Sequence, residues 1–155
     1  LGEEKMKKIE VMYVEFDVNE AQINLKIIGG PEQIIFAHYL TNYDYSDTGI
    51  RHFTPPKIID VDFLIEYVNE VDVVTDEVPL MIEHELHPHS PQVHCVGKIN
   101  EIIARKHSSY NSLICDLGDF GNIEVVLEGK FELMVGMRVE FTGILIVEFD
   151  EKLIC

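Results

Sequence analysis

Apolar and polar residues alternate with a period of two through most of the C-terminal half and in shorter runs of the N-terminal half, the spacing of strands with one buried face. In the C-terminal half, residues 93–104 form an apolar run broken by Gly97 and charges, which predicts a long first strand bent at the glycine. Arg105-Lys106-His107-Ser108-Ser109 reads as a polar turn. Leu113, Cys115 and Leu117 share one face of a second strand, and Gly118-Asp119-Phe120-Gly121-Asn122 is turn chemistry that joins it to a third over residues 123–127. A connector over 131–135 leads to the run 138–149, whose β-branched and aromatic content favours strand and whose Gly143 permits a sharp bend.

The N-terminal half is less regular. Residues 8–18 predict a strand, Asn19-Glu20 a turn, and 21–28 a second strand with Ile23, Leu25 and Ile27 on one face, ended by Gly29-Gly30-Pro31. Residues 33–41 suit a third strand or a short helix, and 43–56 a long loop rich in Asp, Ser, Gly, Thr and Pro. Residues 58–71 predict a helix, because Val61, Leu64, Ile65 and Val68 recur at helical spacing and Asp60 or Asp62 would sit in the first turn, where a carboxylate favours the dipole. His87-Pro88-His89-Ser90-Pro91 marks a boundary.

The C-terminal run Leu133-Met134-Val135-Gly136-Met137-Arg138-Val139-Glu140-Phe141-Thr142-Gly143 is similar to the leucine-x-x-glycine-x-x-valine-x-x-x-glycine stretch leading into the fourth strand of OB (oligonucleotide/oligosaccharide-binding) folds. With the bent first strand and the hairpin, about 60 residues resemble that family. The resemblance implies a five-stranded barrel, a helix fitted into 129–135, and a fifth strand at 152–155 or within the 138–149 run. The expected fold class is therefore mostly β with some α (α+β). An acidic α+β domain with an antiparallel sheet occupies 1–86, a linker 87–92, and an OB-like barrel 93–155. An alternative reading of the N-terminal half is a second, degenerate barrel. A gapless displacement of about 90 residues lays Lys8-Ile9 on Lys98-Ile99, Ile23, Leu25 and Ile27 on Leu113, Cys115 and Leu117, and Ile35-Phe36 on Val125-Val126.

Charge narrows the partners. The formal net charge is −16, with 6 Lys and Arg against 18 Asp and Glu in residues 1–90 and 6 against 10 in residues 91–155. Such a field repels phosphate backbones and attracts cations, so any nucleic-acid contact is expected on the second half. No stretch approaches the roughly 20 apolar residues of a membrane span, and residues 1–9 lack the apolar core of a secretory signal, so no membrane association and a cytoplasmic location are expected. Cys95, Cys115 and Cys155 are odd in number and widely spaced, which argues for reduced thiols. No nucleophile elbow, phosphate-cradling glycine loop or dinucleotide fingerprint is present, and an enzyme is not expected.

Three places carry candidate chemistry. His84, His87, His89, His94 and Cys95 offer imidazole and thiol ligands for zinc within twelve positions, although the spacing matches no familiar motif and a polar linker is the plainer account. The barrel resemblance implies single-stranded nucleic-acid contacts from Lys98, Arg105, Lys106, Tyr110 and Phe120, by phosphate pairing and base stacking. Tyr43, Asp44, Tyr45, Asp47 and Arg51 form an aromatic, acidic stretch suited to binding a protein. The leading expectation is a non-enzymatic protein-interaction module with an acidic surface and a cationic partner. The alternatives are a single-stranded nucleic-acid binder and a zinc-dependent role at the histidines; exposed strand edges would also suit a homodimer.

Overall fold

The computed structural model describes residues 7–17, 20–30, 34–40, 57–84, 90–104, 110–129 and 131–149. They form β1 (Lys7–Asp17), β2 (Glu20–Ile27), β3 (Ile35–Leu40), β4 (Lys57–Val68), β5 (Val71–Val74), β6 (Met81–His84), β7 (Gln92–Ile103), β8 (Tyr110–Asp116), β9 (Asn122–Glu128) and β10 (Arg138–Glu148), all in one mixed sheet. One 3-10 turn, Gly118–Phe120, is the sole helical element among these residues, and no helix is long and apolar enough to cross a membrane.

The α+β expectation is overturned, because the helix read over 58–71 is the long strand β4 followed by β5. Ile59, Val61, Phe63 and Ile65 are buried at alternate positions, the period of a strand, and the β-branched content supports it. The pattern imitated a helix for a physical reason. A bulge between Ile65 and Val68 brings Val68 inward out of phase, and Leu64 is apolar although it faces outward, so the apolar positions fall at helix-like intervals.

The barrel expected within 93–155 is corrected in the same way. β7 pairs with β8, β8 with β9, and β10 with β7, all antiparallel, but the strand between β9 and β10 is β4 from the N-terminal half, parallel to β9 and antiparallel to β10. Among the described residues of the connector, 129 and 131–135, no helix occurs. Residues 131–134 are irregular, and Gly136 N–H donates to Ile99 O at 2.8 Å while Ile99 N–H donates to Met137 O at 2.9 Å. Residues 152–155 lie outside the described residues.

The N-terminal strands mirror this arrangement. β1 pairs with β2 and β4, β2 pairs with β3, and β3 meets β10 in parallel at His38↔Ile146. Two five-strand rings therefore share the β4–β10 pair, each long strand starting in its own ring and ending in the other. The registers agree closely. The irregularity between Val11 and Tyr13 opposite Leu25 and Asn24 recurs between Ile99 and Glu101 opposite Cys115 and Ile114. Ile9↔Ile59 corresponds to Gly97↔Val139, and Ile65 lies as far along β4 from Ile59 as Leu145 lies along β10 from Val139. Ile65 and Leu145 are themselves paired, so an internal pseudo-twofold axis passes between them. The gapless displacement thus aligns β2 with β8 correctly and misses β1 and β3 by two residues.

One apolar core runs through both rings and includes Ile9, Leu25, Ile65, Ile99, Leu127 and Leu145. Burying each such side chain stabilises the fold by roughly 1.5–3 kcal/mol relative to exposure. Where the N-terminal repeat has Phe63, the C-terminal one has Gly143. A Cβ there would stand 2.5 Å from Ile65 Cγ2 and 2.8 Å from both Glu66 O and Val68 Cγ2, so the glycine lets the end of β4 cross close to β10.

Candidate functional site

The described residues cover only part of what the sequence grouped. Tyr43, Asp44, Tyr45, Asp47 and Arg51 lie outside the described residues, as do His87, His89, Arg105 and Lys106. Lys98 is exposed on β7, facing Asp116 on one side and Arg138 on the other. Tyr110 opens β8 opposite Glu128. Phe120 needs correction as a stacking residue. It is 2% exposed, its ring meets Phe63 edge-on with centroids 5.2 Å apart, and Lys7 Nζ sits 5.7 Å from its centroid. A side chain already packed in the core has no free face for a base.

His84 and His94 serve different strands, β6 and β7. His84 Nε2 accepts the Phe36 backbone N–H at 3.1 Å, and the two rings stand edge-on at 5.3 Å. Burial pushes its pKa down despite backbone contacts with Gln92 and Ser90 that raise it, favouring the neutral ring that this bond requires. His84 also lines a cleft of about 190 Å³, open to solvent, with Ile35, Ile82, Val93, Phe120 and Leu145. His94 joins three strands, with Nδ1 3.2 Å from Glu83 Oε1 on β6 and Nε2 2.6 Å from Glu140 Oε2 on β10. Burial opposes its protonation, but the two carboxylates outweigh it and the pKa is raised.

Cys95 cannot join His94 around one ion. Successive strand residues point to opposite faces, so Cys95 is 0% exposed inside while His94 is on the outer face. Burial pushes the Cys95 thiol well up and the Cys115 thiol up to about 12, which holds both protonated. Among the described residues no group of three His, Cys, Asp or Glu side chains could hold a metal ion.

What the fold does assemble is an outer face where β9, β4 and the end of β10 meet. Leu64 on β4 pairs with Ile146 on β10 and Glu124 on β9, while Asp62 pairs with Glu148. Leu64, Ile146 and Val126 are half-buried outward side chains, so the middle of the face is aliphatic and its margins are carboxylates. Glu66 lies among them. Burial raises its pKa, repulsion from Glu148 and Glu124 raises it further, and His38 partly offsets this. The Ser112 hydroxyl donates to Glu124 Oε2 at 3.2 Å.

Tyr67 adds an aromatic ring to this margin. Ile65 and Val68 are fully buried, whereas Glu66 is half-buried and Tyr67 60% exposed, so the bulge directs two successive side chains outward. Tyr67 has φ +62°, the only positive φ outside glycine among the described residues. Sequence reasoning missed these residues. Glutamates carry little signal in so acidic a chain, and Tyr67 fell inside an expected helix. No known protein-family model matches the chain, and no curated protein matches it.

Proposed function

We propose that this is a non-enzymatic protein-interaction module that engages a cationic protein partner through its acidic outer surface. The observation that carries the reading is the gathering of Glu66, Glu124 and Glu148 on three adjacent strands, where burial, and then repulsion from the other two carboxylates, raise the Glu66 pKa. An approaching cation relieves that repulsion, and a chain of net charge −16 draws such a partner in over long range.

The test is fluorescence anisotropy of a short labelled lysine- and arginine-rich peptide and of labelled single-stranded DNA against the full chain, at low and moderate salt. Salt-sensitive binding of the peptide and none of the DNA is expected. Binding of the oligonucleotide alone would transfer the function to nucleic acid, and retention of neither at low salt would remove the reading.

A further inference from the structure

We infer that the outer face of β9, β4 and the end of β10 docks an extended, lysine- or arginine-bearing protein segment, with Tyr67 as its aromatic anchor. This rests on the interaction-module reading above and adds the surface and the chemistry that recognises the partner.

The starting point is a failure of the internal symmetry. The pseudo-twofold equates Glu66 and Tyr67 on β4 with Ile146 and Val147 on β10. β10 stays regular there, with Ile146 half-buried outside and Val147 1% exposed inside. A second inward residue at position 67 would extend the core in the same way, yet the chain carries a bulge that sends a large aromatic into solvent. An L residue in the left-handed region costs roughly 1–2 kcal/mol, and Tyr lacks the short polar side chain that eases this for Asn or Asp. The bulge returns Val68 to the core where β10 has Val147, so one inward side chain is buried in either case and filling the core does not require a strained, outward Tyr67.

The surroundings specify the occupant. Leu64, Ile146 and Val126 give an apolar floor that suits aliphatic stems, and Glu66, Glu124 and Glu148 give the counter-charges for their tips. Lysine and arginine combine these features, since their methylene stems lie along apolar surface while the head stays polar. An exposed tyrosine adds ring surface for a cation or a stem, with little side-chain entropy to lose. Charge complementarity thus favours a cationic protein segment over a nucleic acid, whose phosphates the same carboxylates repel.

The experiment uses the full chain and the same labelled lysine- and arginine-rich peptide. Tyr67→Gly removes the ring and also suits the positive φ, so the protein should fold at least as well as the parent. Loss of an aromatic anchor is expected to weaken peptide binding about tenfold or more, with no fall in the thermal midpoint. Glu66→Gln with Glu124→Gln should weaken binding and flatten its salt dependence. Asp119→Asn with Glu132→Gln removes the same charge from the 3-10 turn and the connector and should leave binding near the parent value. Parent-like binding by Tyr67→Gly, or an equal loss from both carboxylate pairs, would overturn this face as the site while leaving the interaction module intact. No binding by the parent at low salt would overturn both.

Discussion

Residues 64–68 of β4 and 144–148 of β10 occupy equivalent places around the internal twofold and have taken opposite courses. In β10 the alternation is unbroken, with Leu145 and Val147 buried and Ile144 and Ile146 half-buried outside. In β4 it breaks after Ile65, and two residues in succession face outward before Val68 returns to the core. The comparison separates what the shared strands must do to close two rings from what one of them does in addition. Closure needs Ile65 and Leu145 at the axis; it does not need Tyr67 in solvent.

The axis itself is the place to expect the largest effect. Ile65→Ala or Leu145→Ala should each cost about 2–5 kcal/mol, the range for emptying a buried aliphatic site. Because each strand belongs to both rings, urea unfolding should remain one transition by every probe. Two separated transitions, with one half keeping parental stability, would break the account of shared strands.

Gly143 sharpens the contrast with its counterpart Phe63. Gly143→Ala places a methyl against Ile65 Cγ2 and the Glu66 carbonyl, neither of which can swing away as a long side chain would. A loss of about 1–3 kcal/mol is expected from such overpacking. A neutral result in thermal unfolding would mean that β4 does not cross β10 as closely as described.

His84 and His94 make a second, smaller comparison, because their pKa values move in opposite directions. The raised pKa of His94 means that its two ion pairs contribute fully below the unfolded value near 6.5 and fade as pH rises through the folded value. The lowered pKa of His84 means that its contribution is full above 6.5 and is lost as pH falls. With partly exposed carboxylates, the His94 effect should be at most about 1 kcal/mol after solvent screening. Unfolding measured from slightly acidic to alkaline pH should show the alkaline loss in the parent but not in His94→Gln. Equal slopes in the two proteins would remove the ion pairs from the account.

Tyr67→Gly should change stability least. Relief of roughly 1–2 kcal/mol of left-handed strain is set against the 0.5–1 kcal/mol or so that glycine costs in a strand. A net gain of about 0.5 kcal/mol is expected by chemical denaturation. A clear loss would show that the ring packs on the fold rather than standing clear of it.

By itself the sequence determined most of the individual strands. Alternation located β1, β2 and β7 to β10, and it narrowed β3 to strand or short helix, because a half-buried strand needs an apolar residue at every second position whatever lies beside it. Tertiary structure decided the rest. That β4 completes a ring with β7 to β10, and β10 one with β1 to β3, depends on non-local hydrogen bonding and a common core, which local periodicity does not encode. The bulge at Glu66 and Tyr67 disguised β4 as a helix, since inserting one residue shifts every later side chain to the other face. Phe120 appeared accessible in its turn and is buried against Phe63, while His94 and Cys95 are neighbours in the chain and lie on opposite faces of the sheet. The carboxylates and the tyrosine of the outer face come from separate strands, and only the folded register places them together.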